Sequence, residues 1–262
     1  MCLVVVAYKV WNGFPIVIAA NRDEFFERPA RKAGFWEDDP NLLAGRDLSS
    51  NGTWLGVTKQ GRMSFVTNRR DMREPKLASP VSRGKLVEGF LKSKAIPIEF
   101  QTQLLPEIQK YEGFNLFFAD QHSAICLSNR GNGSVEVEPG FHTLSNAFWN
   151  TKWPKTERVL AEFRKYAEEA VEKAIPLPIE HIFTMLNDSK LADVSELPDT
   201  GIGLEREKYL SAIRISLPGY GTRVSTIVAI SESGECLFYE KTFEDPFAKS
   251  GEVVHYKFDL EK

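Results

Sequence analysis

Cys2 to Tyr8 is an unbroken apolar run, and three consecutive valines stand in its middle. β-Branched side chains lose rotamer freedom in a helix and suit a pleated strand; a run with no polar alternation is a strand buried on both faces. Asn12-Gly13 follows, the dipeptide that best supplies the two positive-φ positions of a tight hairpin turn. A second apolar run, Pro15 to Ala20, leads into the polar cluster Asn21-Arg22-Asp23-Glu24. The chain therefore opens as a buried β-hairpin. A two-residue turn pairs Trp11 with Phe14, Tyr8 with Val17, Val4 with Asn21 and Cys2 with Asp23. Opposed residues share a face with Cβ atoms about 4.5–5.5 Å apart, so this register makes Cys2 and Asp23 neighbours. Asn21 lies diagonally on that face and Arg22 on the other. A slip of one residue reverses every assignment.

Beyond the hairpin, strands are expected over 53–58 and 63–68, and a helix over 79–92 with Ser79 as cap and Pro80 in its first turn. A second helix over 98–111 is interrupted by Pro106. Strands follow over 114–119, 124–128, 134–138 and 141–144. The longest helix is expected over 154–174, where Val159, Leu160, Phe163, Tyr166, Ala167, Ala170 and Val171 form one stripe. A shorter helix over 179–187 and a loop over 189–203 precede strands at 223–230, 235–243 and 253–260. Strands and helices are segregated rather than alternating, which excludes a doubly wound sheet and points to two packed antiparallel sheets with helices outside. No repeat or linker divides the chain, so residues 1–262 read as one domain of α+β class.

With 33 basic against 36 acidic residues, the composition does not suggest a nucleic-acid partner. The one basic stretch, Arg69 to Lys76, reads as a solvated loop or as the rim of an anion pocket. No apolar segment approaches the ~20 residues of a membrane-spanning helix. Three widely spaced cysteines, Cys2, Cys126 and Cys236, form neither a disulfide framework nor a zinc pattern. Reduced thiols and a cytoplasmic address are expected. His122, His142, His181 and His255 show no metal-ligand spacing, and dinucleotide, Walker and haem-attachment motifs are absent. No metal and no required cofactor are expected.

Cys2 carries the sharpest chemical reading. A small second residue permits removal of Met1, and the new α-amine has a pKa of about 7.7–8.0. A thiol beside its own backbone amine is a self-contained nucleophile and base. The plain alternative is a small apolar residue in a buried strand.

The opening MCLVVVAYK, the tetrapeptide Asn21-Arg22-Asp23-Glu24 and the segments GTWLGVTKQGR, VTNRR, LSNAFWNTKWPKTER and GYGTRVSTIVAI together resemble the NRDE family, also called the transport and Golgi organisation family. The resemblance runs from Cys2 to about Ile230. It implies the four-layer αββα sandwich of N-terminal-nucleophile hydrolases, closest to the cysteine branch that cleaves amides of bile salts, penicillin V and N-acylethanolamines. Carried over, Cys2 matches the nucleophile, and Arg22 with Asp23 the pair beside it. Asn68 and Asn146 match asparagines near the oxyanion and the terminal amine, and Arg223 a second arginine of the site. In those hydrolases the arginine precedes the aspartate by more than one position, a departure here. Asn21 and Glu24 are expected to contribute to binding, and Trp149 and Trp153 to close a greasy pocket.

Three functions are compatible with these residues. The first is an enzyme cleaving an amide or thioester of a small acyl compound through Cys2. The second is a non-catalytic carrier of haem or an acyl lipid, which the resemblance brings in through the family's links to haem trafficking and lipid homeostasis. The third is an interaction protein of the secretory pathway.

Overall fold

The structure, a computed structural model, describes residues 3–131, 133–172 and 177–261. The first half contains strands β1 (Leu3–Trp11), β2 (Phe14–Phe25), β3 (Ala30–Trp36), β4 (Asp39–Asp47), β5 (Leu55–Thr58) and β6 (Met63–Asn68), then helices α1 (Gly84–Lys92) and α2 (Pro97–Leu104). Strands β7 (Phe114–Ala119), β8 (Ala124–Ser128), β9 (Ser134–Glu136) and β10 (Gly140–Leu144) follow, with helices α3 (Pro154–Glu172), α4 (Ile179–Leu186) and α5 (Leu204–Leu210). Strands β11 (Ser216–Leu217), β12 (Tyr220–Ile230), β13 (Glu235–Thr242) and β14 (Glu252–Asp259) end the chain.

Two antiparallel sheets result. The first runs β10-β1-β2-β12-β13-β14, with β11 paired to β12; the second runs β3 through β9 in sequence order. Strand β1 shows why its sequence is apolar throughout. Val4, Val6 and Tyr8 point into the layer between the sheets, while Leu3, Val5 and Ala7 pack outward against α3 and α4. Each of these valines is fully buried, worth roughly 1.5–3 kcal/mol relative to an exposed side chain. On the far side, Leu86, Val87 and Phe90 of α1 and Phe100 of α2 cover the outer face of the second sheet. The layers are helix, sheet, sheet, helix: the expected αββα sandwich.

The hairpin register departs from the expected one. Trp11 does pair with Phe14, but Tyr8 faces Ile16 rather than Val17, so Val4 faces Ala20 and Leu3 faces Asn21. Two residues of β1, Lys9 and Val10, stand opposite the single Pro15, and Lys9 takes a left-handed φ of 56°. Proline cannot donate to the ladder and is tolerated at such a bulge. The slip exchanges faces: Arg22 joins the inter-sheet side, and Asn21 turns outward toward α4.

Other boundaries move for local reasons. The expected helix start at Ser79 is displaced to Gly84, because Val81 instead donates its N–H to the Lys110 carbonyl in a bridge beside Tyr111. After Leu104 the chain tightens into a 3₁₀ turn, Leu105–Lys110, at Pro106. Val171, placed in the apolar stripe of α3, is 57% exposed, and the expected end of that helix falls partly outside the described residues. Strands β3 and β4 were not expected, since Arg31, Lys32, Asp38 and Asp39 hide the alternation. Edge strand β3 is closed by the other sheet: Ala33 N–H donates to Glu240 Oε1 at 2.7 Å, and Tyr256 Oη donates to the Ala33 carbonyl at 3.0 Å. No helix among the described residues is long and apolar enough to cross a membrane.

Candidate functional site

At the end of β2 the sandwich opens into a cavity of about 290 Å³. Arg22, Asp23, Glu24 and Asn68 all line it, joined by Arg28, Asp47, Trp54, Arg83 and Glu112. Arg22 enters from the first sheet, 5% exposed, with its guanidinium 4.3 Å from the Trp54 ring centroid. Its Nη2 lies 3.3 Å from Asp47 Oδ2 and 3.8 Å from Glu24 Oε2. Burial lowers the Arg22 pKa, against the pull of Glu24 and Asp47.

Asp47 is the anchor of this arrangement. It accepts Arg28 Nε at 2.6 Å and Nη2 at 3.1 Å, a bidentate pair, and also the Ser49 and Ser50 N–H groups. Burial alone would raise its carboxyl; the Arg28 contact, the Ser50 N–H and the Arg22 charge outweigh it and hold the pKa below the ordinary range. Arg223 arrives on a bulge of β12, donating to the Phe25 carbonyl at 3.2 Å and to the Arg28 carbonyl, with burial lowering its pKa. Asp23 Oδ1 accepts the Thr222 hydroxyl at 2.6 Å.

Asn146 stands behind Asn68 and donates Nδ2 to the Asn68 carbonyl at 2.9 Å, while its own carbonyl accepts the Arg70 N–H. Arg70 in turn binds Glu207 Oε2 at 3.1 Å and Thr200 Oγ1 at 3.0 Å. The basic stretch divides: Arg70 is pinned inward and Arg69 stacks on Phe148, while Arg73, paired with Asp71, and Lys76 are exposed as a solvated loop would have them.

Three expected binding residues are elsewhere. Asn21 is fully buried on the opposite face, where Nδ2 donates to the Leu186 and Ile213 carbonyls and Oδ1 accepts the Ser225 hydroxyl. Trp149 stacks between Phe117 and His142, and Trp153 lies under Arg70. Neither tryptophan lines the cavity, so the greasy closure is not there. Cys2 lies outside the described residues. The other two thiols are buried, and burial pushes both upward, Cys236 to about 12. Arg28, Asp47, Trp54 and Arg83 were missed. Asp47-Leu48-Ser49-Ser50 was the available signal, a turn-forming Asp that captures the next N–H groups.

Trp54 depends on Gly45. A Cβ there would lie 2.3 Å from the Trp54 ring, closer than any rearrangement-free packing allows. Gly45→Ala is expected to cost about 2–3 kcal/mol in urea unfolding and to change the near-ultraviolet circular dichroism of Trp54. An unperturbed spectrum would show that the ring is not held as described.

Fold and site together define an αββα sandwich with a charged cavity beside the start of its first strand. The family model for "Transport and Golgi organisation 2" matches residues 1–245. The human transport and Golgi organization protein 2 homolog is 32% identical over 267 residues, covering 95% of this chain and 94% of that protein. The mouse homolog is 31% identical over 266 residues with the same coverage. The chain belongs to the Transport and Golgi organisation 2 family, as its NRDE segments indicated. Among solved structures, a mutant conjugated bile acid hydrolase from Clostridium perfringens aligns at a TM-score of 0.48 and 10% identity, covering 99% of this chain and 98% of that one. A likeness at that level assigns no activity.

Proposed function

We propose that the protein is a cysteine N-terminal-nucleophile hydrolase that cleaves an amide, or a thioester, of a small polar acyl compound. One observation carries the reading: Leu3 pairs with Asn21, so the first described residue of β1 lies opposite the residue of β2 that precedes Arg22 and Asp23, which line the cavity. In this reading Met1 is removed and the α-amine takes the Cys2 thiol proton. The thiolate attacks the acyl carbon, and the leaving amine departs with that proton as the C–N bond breaks. Water then hydrolyses the thioester. The arginines of the lining, Arg22, Arg28 and Arg83, set among its carboxylates, would favour the thiolate and the developing oxyanion. The charged lining also supports this reading over a carrier of haem or an acyl lipid, either of which needs an apolar wall.

The test is intact mass before and after brief alkylation at pH 7. Expected are loss of Met1 and one adduct at Cys2, absent in Cys2→Ala, because Cys126 and Cys236 are buried with raised pKa values. A retained Met1 or an unmodified Cys2 rejects the hydrolase. Family membership favours a second reading, a part in transport and Golgi organisation played through a partner. Full rescue of Golgi morphology by Cys2→Ala in cells lacking the protein would select it.

A further inference from the structure

One rung deeper than Arg22, on the same inter-sheet face, lies a carboxyl that the cavity chemistry does not use. Arg22 pairs with Val224, and Val224 with Thr242; on the next rung Ala20, Thr226 and Glu240 align in the same way. Two strand spacings and one rung separate the Arg22 and Glu240 Cα atoms by about 12 Å, a gap that two long side chains on one face largely close. Glu240 is 1% exposed. Its Oε1 accepts the Ala33 N–H, while Oε2 has no hydrogen bond among the described residues; the same holds for Arg22 Nη1. A buried donor and a buried acceptor of opposite charge are thus left over in one layer.

Arg22 is the member free to respond. Asp47 is already held by two Arg28 contacts at 2.6 and 3.1 Å, whereas Arg22 touches it through a single 3.3 Å contact. We propose that Glu240 is a positioning residue for Arg22: its charged carboxyl draws the guanidinium inward, and its neutral form releases the guanidinium to Asp47 and Glu24 at the cavity. Burial pushes Glu240 up to about 7, opposed by the Ala33 N–H and the charges of Arg22 and Lys32. The exchange therefore falls near neutral pH. The nearest other titratable groups are engaged: Lys32 of β3 pairs with Glu252 of β14, and the Tyr256 phenol holds Ala33. The Thr242 hydroxyl, one rung along β13, is buried without a hydrogen bond among the described residues. His255 stacks on Tyr239 on the opposite face of the sheet. The consequence for reactivity rests on the hydrolase reading; the movement of Arg22 does not.

Trp54, under the Arg22 guanidinium, is the reporter. In full-length protein labelled with fluorotryptophan, the Trp54 resonance, assigned with Trp54→Phe, is followed from about pH 5 to 9. Wild type and Thr242→Val are expected to show an inflection near pH 7 that is absent in Glu240→Gln and in Arg22→Met. No inflection in wild type overturns the proposal, as does the same inflection in Glu240→Gln. Persistence in Arg22→Met also overturns it, since Glu240 would then act on Trp54 without the arginine. Cys2 alkylation over the same range separates the two readings. An inert Cys2 with the Trp54 inflection intact removes the hydrolase and supports the Arg22 coupling.

Discussion

Asn21→Ala is expected to lower the unfolding free energy by about 3–5 kcal/mol, although Asn21 belongs to the tetrapeptide that marks the cavity. The amide is fully buried and joins three elements. Its Nδ2 donates to the last carbonyl of α4, Leu186, at 2.8 Å and to the Ile213 carbonyl at 2.9 Å; Oδ1 accepts the Ser225 hydroxyl of β12 at 2.7 Å. Alanine leaves two buried carbonyls and one hydroxyl without that partner, each costing about 1–3 kcal/mol before any relaxation. It also vacates space beneath α4. The urea midpoint should fall at nearly constant slope. Asn21→Asp discriminates further, because an ionised carboxylate facing two carbonyl oxygens is repelled by both. That variant should be the less stable at pH 7 and recover part of the loss near pH 4. A loss under 1 kcal/mol in Asn21→Ala would show that α4 is not docked through this amide.

The same residue shows what was legible in the sequence. Two sheets, their flanking helices and the clustering of Arg22, Asp23, Glu24 and Asn68 were all readable, because continuous apolar runs, helical stripes and the family segments are local signals. Which face each residue takes was not. That depends on one bulge, set by Lys9 and Val10 opposite Pro15, and a single inserted residue turned Arg22 inward and Asn21 outward. The β3–β4 hairpin escaped because edge strands carry charge to resist pairing with other chains. Arg28 and Asp47 were invisible for another reason: a bidentate ion pair across 19 residues has no periodicity to reveal it. Glu240 sits in the strand expected over 235–243, but apolar residues stand on both faces of it, Cys236 and Phe238 on one and Leu237 and Tyr239 on the other, so no alternation marks it as deeply buried.

Glu240→Gln should therefore stabilise the protein, and only at the alkaline end. The folded carboxyl titrates at about 7 against an ordinary 4.5 because burial disfavours its charge. Below pH 4.5 folded and unfolded chains are both protonated and the side chain imposes no penalty. As pH rises, the unfolded chain releases a proton that the fold retains, so stability falls between about 4.5 and 7 and levels off above. A displacement of that size corresponds to about 3 kcal/mol. Glutamine keeps an acceptor for the Ala33 N–H and carries no charge, so it escapes the penalty while preserving the tie between β13 and β3. Unfolding free energies of wild type and variant should coincide within about 1 kcal/mol at pH 4 and separate toward 3 kcal/mol by pH 8. Taking the difference removes every other titrating group common to both. A gap that stays flat across this range would mean that Glu240 is already ionised in the fold at neutral pH, with Arg22 compensating its charge more fully than burial penalises it.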